Sequence, residues 1–401
     1  MFRSAIGVTE AILLVPALLF TGYLLVLTIL AAAKRTERRF AAGTQRKFAF
    51  VIPAYNEEAG IAGTVRSALA VDYPRDRFDV VVIADNCTDD TAGRARDAGA
   101  GVIERRDPAS RGKGQALRWG FDSLLSAGAG YDAIVVVDAD SVVTPNYLSV
   151  MNWYVDQGAR AIQSLDLVAP GNDAWNARMT QIGFLLYNCV RPLGRTMLGG
   201  SAGLRGNGMC FTAELLARVP WKAFSVAEDL EYGLQLLLEG INVAFAREAT
   251  VFATMPADER NAVAQRARWE GGRLDLIRRY VPLLARRLFV SPTLACCDAF
   301  FDLVTPALVN LIGGIVLATV CSFLLWVWGI GAGSYAALWV LALLMGFTHL
   351  IAGLRIARAD ADVYRAIAFL PRYVLWKLGV YVGMPGQWSR ETWTRTTREV
   401  R

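Results

Sequence analysis

Histidine is almost absent: one occurs in 401 residues, His349, and it sits inside a long apolar run. That scarcity excludes a histidine general base, a Ser-His-Asp arrangement and a histidine-based zinc site. The six cysteines, Cys87, Cys189, Cys210, Cys296, Cys297 and Cys321, show no paired metal spacing, which removes thiolate zinc sites as well. No phosphate loop is present either. In "DPASRGKGQ", Asp107 stands where such a loop needs glycine, and Gly114 replaces the Ser or Thr that would hold magnesium. No G-x-G-x-x-G follows a strand-like run, and neither an internal repeat nor a low-complexity linker interrupts the chain. Acid-base chemistry is left to carboxylates.

What is abundant is apolar. Hydrophobic residues make up 54% of the chain and the mean hydropathy is +0.33, yet 19% of residues are charged, a mixture that implies membrane and soluble parts. Ala11 to Ala33 carries no charge and is long enough to cross a bilayer. The cluster Lys34, Arg35, Arg38, Arg39 follows it, which is the wrong flank for a cleaved signal and predicts a cytoplasmic location for what comes next. Leu303 to Leu354 is again free of charged residues, and Gly329 to Gly333 splits it into two spans of a hairpin, with Arg355 and Arg358 on the cytoplasmic return. Ala366 to Pro385 is apolar and aromatic but holds Arg372 and Lys377, the pattern of an amphipathic helix lying in the interface. A basic tail follows, with Arg390, Arg395, Arg398 and Arg401. The net charge of +6 reads as membrane-facing basic residues; without an aromatic-basic RNA motif, no nucleic-acid partner is expected.

Between about Phe48 and Arg287, strand-like and helical periodicities alternate, as in a βαβ parallel sheet. Strands are predicted at Phe48–Pro53, Phe78–Ala84, Gly101–Glu104, Ala133–Asp138 and Ala161–Leu165, with helices starting near Glu57, Asp89, Gly114 and Pro145. "IVVVDADS" then places Asp138 and Asp140 at the end of a buried strand, where open α/β sheets bind ligands. Asp85 ends "VVVIA" in the same way. A plainer local reading makes Asp140 and Ser141 caps of the next helix, and Asn86 and Asp89 caps of the helix after Asp85.

Six motifs occur in one order: "VIPAYNEE", "VVIADNCTDDT", "RGKGQAL", "VVVDAD", "AEDLEYG" and "QRARW". Over residues 48–287 the chain thereby resembles the membrane-bound family 2 glycosyltransferases of the cellulose, chitin and hyaluronan synthase type. The resemblance implies a GT-A-like, Rossmann-type α/β domain with a mixed sheet, flanked by transmembrane helices. It divides the chain into an N-terminal span and basic flank (1–40), a cytoplasmic catalytic domain (41–287), an interfacial segment with two spans (288–360) and an interface helix with a basic tail (361–401). An integral protein of a bacterial inner or plasma membrane is the expected setting.

The same resemblance assigns roles. Asp138 and Asp140 would hold Mg2+ or Mn2+, with Asp138 also in the nucleotide shell; a hard cation on carboxylates can stabilise a departing diphosphate. Lys113, Gln265 and Arg268 would approach the diphosphate, and Tyr55, Glu57 and Asp85 the uridine of a UDP-sugar. Asp229 would be the general base, Glu228 an orienting group, and Trp269 an aromatic platform for the acceptor. On a helix, Gln265, Arg268 and Trp269 share one face. The family pattern often has Thr where Ala227 stands, so one hydroxyl contact is missing. Gly206-Asn207-Gly208 resembles a loop near the donor sugar, although such a run is first of all a turn. Direct displacement would invert an α-linked donor to a β-linked product. A growing glycan is the favoured acceptor and a lipid, as in ceramide glucosyltransferases, the alternative; three spans make a poor channel, so a translocated polymer would need self-association or a partner subunit. From a different class, a catalytically silent scaffold would leave the carboxylates unused.

Overall fold

A computed structural model describes residues 2–33, 40, 44–171, 175–255 and 259–383. The basic cluster after the first apolar run and the basic tail lie outside the described residues, as does the end of the last apolar stretch. Eight strands form one mixed sheet: β1 (Phe48–Ala54), β2 (Phe78–Asp85), β3 (Gly101–Arg105), β4 (Ala133–Val136), β5 (Ser141–Val143), β6 (Ala161–Val168), β7 (Met209–Thr212) and β8 (Ala244–Ala253). Their spatial order is β3-β2-β1-β4-β7-β6-β8-β5. The half made of β3, β2, β1 and β4 is parallel, β7 runs antiparallel to both of its neighbours, and β6 pairs with β8 in parallel.

Every residue of β1 is buried, because both faces of the sheet are covered. Phe48, Phe50 and Ile52 meet Ile61 and Val65 of α2 (Ile61–Leu69) on one face. After α3 (Thr91–Asp97), α4 (Lys113–Ser126) brings Leu117 and Phe121 to the other face, against Ala49 and Val51. The first face is closed by Tyr147 and Met151 of α5 (Tyr147–Asp156).

The second core does not stop at the sheet. It includes residues of the helical run α6 (Trp175–Phe184), a π-helical turn (Leu185–Val190) and α7 (Arg191–Met197), and it continues to Ala31 of α1 (Phe2–Ala33). Gly194 of α7 lies flat on α1, where an added Cβ would come within 2.3 Å of the Leu27 carbonyl oxygen. Close approach of this kind is what small residues permit between apolar helices. After α8 (Ala213–Arg218) and α9 (Glu228–Leu238), the 32-residue α10 (Glu259–Val290) leads into α11 (Leu294–Val304). Next come α12 (Leu308–Val327), α13 (Gly333–Ile356), the short α14 (Ala361–Ala366) and α15 (Leu370–Gly383). Three helices, Arg3–Ala33, Leu308–Val327 and Gly333–Ile356, are long and apolar enough to cross a membrane. α13 packs against both α1 and α12.

Several local expectations are corrected. Ser141 starts β5 and pairs with Ala253 rather than capping a helix; α5 begins only at Tyr147. Asn86 does not cap α3: its side chain holds the Asp107 backbone N–H and carbonyl instead. Asp89 does reach the start of α3, accepting from the Thr91 backbone N–H. β7 and β8 were not expected, and the β6–β8 register shifts between Ser164 and Leu165, where Arg247 and Glu248 interrupt the apolar run of β8.

Candidate active site

β4 ends at Val136, and the turn that follows carries Asp138 and Asp140 before β5 begins. The Asp138 backbone N–H donates to Asn207 Oδ1 at 3.0 Å, and Asn207 Nδ2 donates to Ser141 Oγ at 2.9 Å. Asn207 itself is buried between two glycines of positive φ. At Gly208 (φ +70) any side chain would collide with Ser164 Oγ. The Gly-Asn-Gly run is therefore more than a turn: it clamps the aspartate loop.

Lys113 opens α4 and points its ammonium at this loop, 2.5 Å from Asp138, 2.7 Å from the Gly206 carbonyl and 3.6 Å from Glu228. Burial works against its charge, but Asp138 and Glu228 outweigh that and hold its pKa above the usual lysine value. Glu228 and Asp229 begin α9, where the helix dipole favours acids. Burial pushes Glu228 up to about 7, with Lys113 pulling down and Asp229 pushing up. Asp229 is raised too, chiefly by desolvation. A carboxylate with raised pKa beside a cavity suits a general base.

α10 supplies the facing wall. Gln265, Arg268 and Trp269 all line the same cavity. The Trp269 ring leans on Phe184 of α6, with centroids 6.0 Å apart, and the Arg266 guanidinium lies 5.1 Å from its centre. Tyr55 and Glu57 follow β1, in a loop tied to the one after β2 by Asn56 Oδ1 accepting from the Thr88 N–H and Thr91 Oγ1 accepting from the Glu57 N–H. Glu57 lies ahead of α2, not in its first turn. One cavity of about 1360 Å3 thus collects Tyr55, Glu57, Lys113, Asp138, Asp140, Glu228, Asp229, Gln265, Arg268 and Trp269.

Asp85 is the exception. It does not line this cavity; it is 1% exposed, and its Oδ1 accepts from Arg105 Nη1 at 2.6 Å and from Asn86 Nδ2 at 3.1 Å. Burial raises its pKa and Arg105 opposes that. Its placement is that of a buried anchor for Arg105, whose other nitrogen holds Asp107 and the Ser110 carbonyl in the loop before Lys113.

Among the cavity-lining residues that sequence reasoning missed are Asp166, Asn188, Arg191 and Arg205. Asp166 sits on β6, fully desolvated, with its pKa raised well above the ordinary carboxylate value by burial and then by Asp138. Its signal was available, since Ser164 and Asp166 break the apolar pattern of β6 at alternate positions.

A family model described as "Glycosyltransferase like family 2" matches residues 45–272, which takes in β1 through the first part of α10. The chain belongs to glycosyltransferase family 2. Its curated relatives include both glycolipid and polysaccharide synthases. A beta-monoglucosyldiacylglycerol synthase of Synechocystis sp. is 30% identical over 237 residues, covering 55% of this chain and 47% of that protein. Cellulose synthase 2 of Novacetimonas hansenii is 26% identical over 267 residues, covering 59% of this chain and 15% of that protein. The chain spans about half or less of the length of these curated relatives. The solved mannosyltransferase PcManGT from Pyrobaculum calidifontis, in complex with GDP-Man and Mn2+, aligns with a TM-score of 0.54 at 18% identity, covering 88% of this chain and 99% of that chain. That likeness shows the fold: a GT-A-like mixed sheet, here with three apolar helices that could cross a membrane.

Proposed function

We propose that this family 2 glycosyltransferase is an inverting enzyme that moves a sugar from a UDP-sugar to an acceptor hydroxyl at the cytoplasmic face of a membrane. The observation that carries it is the convergence of Asp138, Asp140 and Lys113 from the sheet side with Asp229 and Trp269 from the helix side on one cavity. Residues 1–40, 288–360 and 361–401 serve as membrane-associated parts around the catalytic unit 41–287.

The donor set fits a hard divalent cation. Asp138 and Asp140 offer oxygen ligands, and an ammonium already rests against Asp138, so that carboxylate accommodates positive charge. Among the described residues no third His, Cys, Asp or Glu completes a metal cage, which suits Mg2+ or Mn2+ sharing its remaining positions with a diphosphate and water. When bound, such an ion supplies charge neutralisation for the leaving diphosphate.

The protein groups do the rest. Lys113, Gln265 and Arg268 hold the diphosphate, and Tyr55 and Glu57 receive the nucleoside. Asp229 takes the proton of the acceptor hydroxyl as that oxygen bonds to the anomeric carbon, and the bond to the diphosphate oxygen breaks with its electron pair leaving on UDP. Attack opposite the leaving group gives a β-linked product from an α-linked donor. Glu228 orients Lys113, and Trp269 stacks the acceptor. The Trp269 ring gives the acceptor a flat apolar face beside the base.

The test is UDP release and product formation by purified full-length protein with a panel of labelled UDP-sugars and Mn2+, compared with Asp229→Asn. Loss of about 100-fold or more in kcat is expected for the variant. Equal turnover by both proteins would remove Asp229 from the chemistry.

A further inference from the structure

The cavity that holds the aspartates does not end at the acceptor tryptophan. Its far wall is built by Leu308, Val309 and Ile312 of α12, His349 and Leu350 of α13, and Leu370 of α15. Two of these helices are long and apolar enough to cross a membrane, so this end of the cavity borders the bilayer.

Between that apolar wall and Asp229 lies an excess of buried positive charge. Among the described residues Arg191, Arg195, Arg205 and Arg273 gather around two carboxylates, Asp298 and Asp302, with Asp229 also within electrostatic reach of Arg205 and Asp302 Oδ1 3.6 Å from Arg191 Nη1. Arg195 is fully engaged, at 2.8 Å to each carboxylate. Arg273 is spent on the carbonyls of Asp302, Leu303 and Thr305. Arg191 and Arg205, which line the cavity, clasp the Tyr187 ring from 5.1 and 4.0 Å. Arg191 Nη1 and Arg205 Nε have no hydrogen-bond acceptor among the described residues, and both side chains are at most 4% exposed. Desolvated guanidinium N–H groups in excess over carboxylates are costly unless an anion completes them, and guanidinium forks match phosphate oxygens.

His349 adds a second polar contact at the same end. The Thr28 hydroxyl proton goes to the Leu24 carbonyl at 2.8 Å, so the 2.6 Å contact to His349 is Nδ1–H donating to Thr28 Oγ1. Nε2 is then a bare acceptor, buried and without a partner among the described residues, on the cavity wall. It is placed for a hydroxyl. One turn on, Gly353 packs on Leu186 and Val190 of the π-helical turn that leads into Arg191, so the histidine and the arginines share one neighbourhood.

We propose that the acceptor is an anionic phospholipid bearing a headgroup hydroxyl, drawn from the membrane, with its phosphodiester on Arg191 and Arg205 and its chains along α12 and α13. The proposal rests on the sugar-transfer reading above and names its acceptor. Arg205 precedes Gly206, where an added Cβ would come within 3.2 Å of Asp229 Oδ2, so a headgroup held there presents its hydroxyl to the base. The hydroxyl oxygen bonds to the anomeric carbon, its proton passes to Asp229, and UDP departs with the electrons of the broken bond. The product is a glycosylated phospholipid.

Native mass spectrometry of the full chain with phosphatidylglycerol and phosphatidylcholine in competition reads binding without chemistry. Phosphatidylglycerol should be preferred by about tenfold or more, and Arg191→Gln with Arg205→Gln should erase the preference. Soluble glycerol phosphate should not compete, which separates a lipid from a free anion. In nanodiscs with a labelled UDP-sugar panel and Mn2+, label should enter phosphatidylglycerol and not diacylglycerol. Equal binding of both lipids by the wild-type chain, or transfer to diacylglycerol or to a water-soluble glycan, overturns the acceptor assignment alone. No consumption of any UDP-sugar in any arm, with no UDP binding, overturns the sugar-transfer reading and this proposal with it.

Discussion

Asn207 ties the Asp138 backbone to the Asp166 carboxylate: its Oδ1 accepts the Asp138 backbone N–H at 3.0 Å, and its Nδ2 reaches Asp166 Oδ1 at 3.4 Å. The same amide nitrogen donates to Ser141 Oγ at 2.9 Å, so one side chain holds both ends of the Asp138–Asp140 turn and ties it to β6. Gln163 completes the frame, donating to the Asn207 carbonyl at 2.7 Å while accepting from the Arg205 N–H at 2.8 Å. The aspartate loop, the donor-side glycines and Arg205 are thus one hydrogen-bonded unit.

Asn207→Ala should therefore act on catalysis through the aspartate loop. It removes the acceptor for the Asp138 N–H and leaves Ser141 and Asp166 short of a donor. Supporting groups of this kind typically cost about 10–100-fold in activity or metal affinity. Kinetics against Mn2+ concentration should show that loss as a raised half-saturation for metal. A wild-type metal response would mean that the loop holds its shape without Asn207.

Chelation should abolish sugar transfer, and Mn2+ or Mg2+ should restore it. Asp140 lines the cavity, with its Oδ1 3.4 Å from the Ser141 hydroxyl. Asp140→Asn should reduce kcat/KM about 100-fold or more, on the scale of losing one group that stabilises transition-state charge. Full activity in EDTA would rule out the cation altogether.

How much of this was legible in the sequence follows from how local each cause is. β1 and β4 are unbroken apolar runs and β2 carries one from Val80 to Ala84, and all three formed within a residue or two of their expected ends. β7 is four residues long and starts immediately after Gly208, where turn chemistry dominates the local signal. β8 carries Arg247 and Glu248 in its middle, and only the bulged pairing with β6 makes a strand of it. Asp85 and Asp138 end similar runs but differ in fate because Arg105, twenty residues after Asp85, folds back onto Asp85 while Lys113 meets Asp138. Arg191 and Arg205 carry no motif; their shared Tyr187 ring and common partner Asp302 are properties of the tertiary fold.

A buried ion pair, Lys377 Nζ to Glu270 Oε1 at 2.6 Å, ties the helix that bears Gln265 and Trp269 to α15. Burial lowers the pKa of Lys377, and Glu270 counteracts it. Removing one partner leaves the other charge in a desolvated site, so Lys377→Met should destabilise the protein by about 3–5 kcal/mol. The double variant Lys377→Met with Glu270→Gln should recover part of that, because no charge is stranded. Thermal unfolding in a fixed detergent reads both; additive losses would show that the two residues do not act as a pair.

Glu228 and Asp229 make activity and stability depend on pH in opposite senses. Both carboxyls have raised pKa values through burial, Glu228 reaching about 7. The base must be ionised, so kcat/KM should climb with pH and level off only above the pair's range, well past an ordinary carboxylate limb near 4. The raised folded pKa of Glu228 means that its contribution to stability is present below about 4.5 and is lost as pH rises through about 7. Lys113 is the cation that pulls Glu228 down, from 3.6 Å. Lys113→Met should then move the acidic limb of the pH profile upward by about one unit or more. It should also lower the maximal rate, because a diphosphate contact is lost with the ammonium. A limb that stays in place, or moves to lower pH, would show that Lys113 does not set the ionisation of this pair.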